Sequence, residues 1–130
     1  MAEGLQGLRI FHLAETLADD ILSEVLAWKS FARQTVGRQL VEAADSVGSN
    51  IAEGYDRFRY KDNHQFQFYA RGSLHETVYW LCRASKRNLI SEERYESLIT
   101  RTQELIPQLN AYIRTLGRRS QLERDKRHES

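Results

Sequence analysis

The sequence predicts an all-α protein folded as an antiparallel, up-down four-helix bundle. Four long segments place their apolar residues at spacings of three and four, the connections between them are short, and no stretch shows the strict alternation of a strand bounded by turn residues. At 130 residues the chain fits one domain with one core, and its 41% apolar and 28% charged residues are those of an ordinary soluble protein. The bundle is expected over residues 8–117, with an N-terminal extension over 1–7 and a basic C-terminal tail over 118–130.

In the first helix Ile10, Ala14, Leu17, Ile21, Val25 and Trp28 form the stripe, widened by Phe11, Ala18 and Leu22. Glu15, Asp19, Asp20 and Glu24 give it acidic, solvated faces. The stretch from Lys29 to Thr35 loses the period and reads as a connection. The second helix restores it with Val36, Leu40, Ala43, Val47, Ile51, Tyr55 and Phe58, beside a small-residue stripe at Ala44, Gly48 and Ala52. Interior glycine costs about 1 kcal/mol relative to alanine, so Gly48 and Gly54 imply a bend or, as the favoured reading, a backbone approaching closely.

Arg57 to Lys61 interrupts the pattern, and Asp62 with Gln65 resembles a capping box opening the third helix. Its stripe is Phe66, Ala70, Leu74, Val78, Leu81 and Ser85, while Phe68, Tyr69, Tyr79 and Trp80 spread around the circumference. That is more aromatic surface than a lone bundle hides, which points to oligomerisation. Asn88 suits a left-handed helix end, and Ser91 with Glu92 and Glu93 supplies an N-cap and first-turn acids. The fourth helix runs through Tyr95, Leu98, Thr102, Leu105, Leu109, Tyr112 and Leu116, with Pro107 expected to kink it and Gly117 to stop it. Beyond lies a basic tail, or a solvated continuation of the helix, carrying Arg118, Arg119, Arg124, Lys126 and Arg127.

No apolar run is long enough for a membrane span, and the N-terminus does not resemble a secretory signal, so a cytoplasmic protein is expected. Cys82, the only cysteine, excludes an internal disulfide and reads as a small core residue. No Glu-x-x-His occurs, His75 and Glu76 diverge on a helix, His12 and Glu15 form an isolated pair, and His64 and His128 lie near ends; no metal site or cofactor is expected. Gly72-Ser73 lies within a helical period, as a small-residue contact between helices rather than a catalytic serine. Asn50 and Glu53 on the second helix, and Ser73 and Glu76 on the third, fall near the inner faces, where they fix register or meet a neighbouring subunit. Glu53 and Glu76 would serve as a proton-transfer pair only if they lined an open pocket. No enzyme is expected.

Residues 1–56 carry 4 basic and 9 acidic groups, and residues 57–130 carry 15 and 9, so the halves stand at −5 and +6. This marks either a surface for nucleic acid or another acidic partner, or helices that attract one another within the fold or across an oligomer.

The run Gln39-Leu40, Ala43, Ser46-Val47 and Ser49-Asn50-Ile51-Ala52-Glu53-Gly54, with Gly72-Ser73-Leu74 and Glu76, Leu89-Ile90-Ser91-Glu92-Glu93 with Tyr95, and Leu8-Arg9-Ile10-Phe11, resembles a bacterial family. These are the four-helix-bundle proteins first noticed as products of intervening sequences within large-subunit ribosomal RNA genes. The likeness spans about residues 8–116. Gly48 stands where proline is common, Val41 and Glu42 where basic residues are, Asn88 for a glycine, and Phe11 for a tryptophan. The resemblance implies cytoplasmic proteins assembled into rings, typically homopentamers. It also implies kinship with the accessory proteins of diversity-generating retroelements, which bind nucleic acid and a partner protein through basic surface.

On that basis Arg57, Arg59, Lys61, Arg114, Arg118 and Arg119 are the expected phosphate contacts, with Tyr60 or Phe58 stacking on bases of RNA or DNA. Gly54, Tyr79 and Trp80 join Asn50, Glu53, Ser73 and Glu76 as expected structural or interface residues. A scaffold that binds a partner protein without nucleic acid is the alternative.

Overall fold

The computed structural model describes residues 2–129, with side chains from Leu5 onward. Four rods make up the protein. Helix α1 spans Ala2–Leu26, α3 spans Tyr60–Lys86 and α4 spans Glu92–Glu129. Rod α2 is composite: a short α turn at Ser30–Ala32, a π-helical turn at Arg33–Gly37, then α-helix over Arg38–Tyr55. Each rod packs on its two neighbours in the order α1, α2, α3, α4 and back to α1, which is the antiparallel bundle the periodicity predicts.

The predicted stripes form the core. Ile10, Ala14, Leu17, Ile21 and Val25 of α1, and Trp28 just past its end, are buried. So are Leu40, Ala43, Val47 and Ile51 of α2, and Leu98, Thr102, Leu105, Leu109, Tyr112 and Leu116 of α4. They fall into two clusters. One, around Trp28, Val36, Leu81 and Ile90, fills the end holding the α1–α2 and α3–α4 turns. The other, around Ile10, Ile51, Leu74 and Tyr112, fills the opposite end.

The boundaries differ from expectation in five places. Helix begins at Ser30, so the connection shrinks to Ala27–Lys29, because the π turn places both Val36 and Gly37 inside. A Cβ on Gly37 would lie 2.6 Å from Val25 Cγ1, so glycine lets α2 seat tightly on α1. Rod α2 ends at Tyr55, leaving Tyr55 exposed and Phe58 wholly outside the core. No capping box forms at Asp62, since α3 already starts at Tyr60 with Arg59 as an N-cap that makes no side-chain bond. Gly117 does not stop α4: the helix runs to Glu129, and a Cβ on Gly117 would lie 3.3 Å from His64 Nε2. Of the expected extension 1–7, residue 1 lies outside the described residues and 2–7 belong to a helix instead, for α1 starts at Ala2 and Gly7 packs on the Tyr112 ring. Pro107 lies on the exposed side of α4, within the helix.

The α3–α4 turn follows its sequence signals. Asn88 takes φ 58°, and the Arg94 N–H donates to Ser91 Oγ at 3.2 Å. Glu24 is not solvated as expected, because it accepts from Trp28 Nε1 at 2.8 Å and pairs with Arg94 of α4 at 3.2 Å. Asp20 likewise pairs with Arg101 of α4 at 2.5 Å.

The third helix departs most from its pattern. Ala70, Leu74 and Leu81 are buried, but Phe66, Val78 and Ser85 are only half-buried, and Asn63, Gln67, Thr77 and Ala84 take interior places. Asn63 Nδ2 donates to the Tyr112 hydroxyl at 2.9 Å, while Gln67 Nε2 donates to Asn63 Oδ1 at 2.8 Å and to the Ile51 carbonyl at 3.2 Å. This chain of amides links α4, α3 and α2. Gly54 lies against it: a Cβ there would be 2.5 Å from Gln67 Nε2, 2.6 Å from Asn63 Oδ1 and 2.9 Å from Phe66 Cβ. Close backbone approach is therefore the reason for Gly54. Gly48 has 3.6 Å of room and needs no such explanation.

Candidate nucleic-acid interface

Antiparallel packing brings the 56–59 turn, the start of α3 and the end of α4 to one end of the bundle. His64 of α3 sits against Gly117, and the Arg124 charge is felt at His64. Residues 114–129 alone carry six basic side chains against three acidic ones, and α4 continues for about 18 Å past Gly117.

The six expected phosphate contacts do not form a single patch. Arg57 is committed on the α2–α3 side, where it pairs with Glu53 at 3.0 Å and lies over the Phe66 ring at 4.6 Å. Arg59 and Lys61 are exposed beside it. Arg114 and Arg118 lie one and two turns beyond Asn110, both exposed and about 40° and 80° round the helix from it, whereas Arg119 is about 100° further round. Tyr60 is no stacking platform, because it packs against the core. Phe58 is fully exposed.

The structure adds a cluster on the α3–α4 side that the sequence alone did not single out. Arg71 lies over the Phe68 ring at 4.7 Å and donates to Asn110 Oδ1 at 3.1 Å, and His64 meets the same ring edge-on at 4.8 Å. Burial, with the nearby charges of Arg124 and Arg71, pushes the His64 pKa below its ordinary value. The spacing 64, 68, 71 of His, Phe and Arg at helical period is the signal that could have found this site. Together with Arg114 and Arg118 it offers a cationic strip with one partly exposed aromatic ring, the chemistry that takes up phosphates and an unstacked base.

The residues expected near the inner faces lie elsewhere. Glu53 and Glu76 are both exposed, on α2 and α3. Asn50 donates to the Ser46 carbonyl within its own helix, and the half-buried Ser73 has its carbonyl taken by Thr77. Register is instead held by the amides of Asn63 and Gln67, which the apolar period does not reveal because a buried amide breaks it. Gly72 makes no helix contact: nothing lies within 4 Å of where its Cβ would be. Tyr79 is exposed, and Trp80 lines a groove of about 480 Å³ with Gln34, Arg38 and Arg87.

Cys82 is half-buried rather than in the core, 3.4 Å from the Tyr95 hydroxyl. That bond, with burial, pushes the Tyr95 pKa up to about 12. Among the described residues no three His, Cys, Asp or Glu side chains gather as metal ligands, and no helix is long and apolar enough to cross a membrane.

No curated protein matches the sequence. Among solved structures, the crystal structure at 1.70 Å of a protein of unknown function from the S23 ribosomal protein family of Bacteroides thetaiotaomicron VPI-5482 superposes with a TM-score of 0.75. It is 21% identical and covers 84% of this chain and 98% of its own, so it shares the fold. The model of the family described as 23S rRNA-intervening sequence protein matches residues 6–111, the whole bundle up to the last turns of α4, and the chain belongs to that family.

Proposed function

We propose that the protein is a non-enzymatic, cytoplasmic homo-oligomer, a pentamer as its family resemblance implies, that binds RNA or DNA at its basic end as an accessory protein. The carrying observation is the meeting of the cationic α4 terminus with the His64, Phe68 and Arg71 cluster at one end of the bundle. Arg114, Arg118 and Arg71 supply phosphate contacts there, with Arg59 and Lys61 extending the surface toward α2. Arg57 contributes less, because Glu53 already neutralises it.

Binding of this kind is driven by release of counterions, so affinity for a single-stranded RNA or DNA falls by one to several orders of magnitude between about 50 and 200 mM salt. The triple variant Arg71→Glu, Arg114→Glu, Arg118→Glu loses binding and retains its helical circular dichroism. Binding that ignores salt, or that survives the triple variant, refutes this reading. The exposed Tyr69 and Tyr79 favour a second reading, a scaffold for a partner protein, which predicts that the partner stays bound after nuclease treatment.

A further inference from the structure

Two faces of the bundle carry opposite charge beside apolar surface. Along the α1–α2 seam run two grooves that share Phe11. One, of about 280 Å³, is apolar and walled by Leu8, Phe11, Ala52 and Tyr55. The other, of about 240 Å³, has Ala14, Ala18, Ala44 and Gly48 along its floor and Glu15, Asp19 and Asp45 on its rim. None of those three carboxylates takes part in an ion pair among the described residues. Asp45 is held above the usual carboxylate range by burial and by the neighbouring Asp19, so an incoming cation would be welcomed there.

The complementary surface is the outer face of α3. Tyr69 and Tyr79 are exposed on it, with Arg83 and Lys86 one and two turns past Tyr79, and neither cation has an ion-pair partner among the described residues. Its one acid, Glu76, lies on the side of Tyr79 away from the two cations. Gly72, between the tyrosines, disfavours helix relative to alanine and yet clears nothing in its own chain. The room it leaves suits a second backbone.

We propose that the outer face of α3 in one copy docks along the α1–α2 seam of a second copy, with Tyr79 entering the apolar groove and Arg83 and Lys86 meeting Asp19 and Asp45. The spacings agree: Phe11 to Asp19 is eight residues and Tyr79 to Lys86 seven, about 12 and 10.5 Å along a helix. The occupant is this same chain because both halves of the match belong to it, one drawn from the half at −5 and the other from the half at +6. The two surfaces lie on different sides of the bundle, so each copy offers both, and the contact is heterologous and able to close into a ring. This rests on the homo-oligomer proposed above and names its contact surfaces.

Light scattering on size-fractionated protein tests it. The wild type should run at a multiple of 15.2 kDa, and the variants Asp19→Lys, Asp45→Lys and Arg83→Glu, Lys86→Glu at the mass of one chain each. Mixing the two variants should give species heavier than one chain, since the groove of each variant meets a strip of opposite charge on the other; a five-membered ring cannot alternate throughout, so these are open or even-numbered assemblies. Gly72→Leu, at a position open within the chain, should also drop to one chain, and keeps the test decisive should a charge variant misfold. Assemblies that persist in both charge variants, or variants that stay single when mixed, overturn the docking while leaving homo-oligomerisation intact. A wild type of one chain overturns both.

Discussion

Substituting Gly54 by alanine tests whether the amide chain or the apolar stripes set the spacing of α2 and α3. At an open helical position the change stabilises by about 1 kcal/mol. Here the new methyl would sit 2.5 Å from Gln67 Nε2 and 2.6 Å from Asn63 Oδ1, which bond each other. Neither side chain can swing into solvent, for Gln67 is fully buried and Asn63 nearly so. Phe66 Cβ, at 2.9 Å, is tied to the α3 backbone and cannot rotate away, so the helices must part. Overpacking of this kind costs about 1–3 kcal/mol, and weakening buried amide bonds costs about 1–3 kcal/mol more.

After the propensity gain, Gly54→Ala should destabilise by about 1–5 kcal/mol, lowering the melting temperature by roughly 10 °C at the middle of that range for a chain of this length. The assay is thermal and urea unfolding followed by far-ultraviolet circular dichroism, at one protein concentration so that assembly contributes equally. Gly48→Ala is the internal control. It lies on the same rod with 3.6 Å of room, and should be neutral or stabilising by up to about 1 kcal/mol. Equal stabilisation by both substitutions would refute the close approach at Gly54.

Tyr112→Phe removes the acceptor of Asn63 Nδ2 and should cost about 1–3 kcal/mol, measured by urea unfolding, because the amide donor is left buried. Ser91→Ala removes the cap bonded by the Arg94 N–H and should cost about 1 kcal/mol by the same assay. The His64 pKa is depressed in the folded state, so its contribution to stability is present above the unfolded value of 6.5 and is lost as pH falls through the folded value. Melting temperatures taken from pH 8 down to about 5 should therefore fall less steeply in His64→Gln than in the wild type. Tyr95, raised to about 12, works at the other limit: stability is lost as pH climbs past about 10, and Tyr95→Phe should flatten that alkaline decline.

By itself the sequence determined the fold class and most of the core. The 3.6-residue period survives in any arrangement that buries one face of a helix, so the stripes of α1, α2 and α4 were legible before their partners were known. Local chemistry settled the α3–α4 turn in the same way, because Asn88 and Ser91 act on backbone groups within a few residues. Tertiary structure decided what depends on a neighbour. Whether Gly117 stops a helix turns on what lies across from it, and His64 lets α4 continue. Whether Lys29 to Thr35 is a connection turns on the close seat that Gly37 makes for Val25.

The candidate site divides along the same line. Its basic residues were countable in the chain, but a count carries no direction. Only packing separated Arg57, held by Glu53 and Phe66, from the exposed Arg114 and Arg118 of α4, and drew His64, Phe68 and Arg71 together. Asn63 and Gln67 hid in the sequence because a polar side chain is stable in a core only when a partner from another helix satisfies it, and that partner, Tyr112, stands 49 residues away from Asn63.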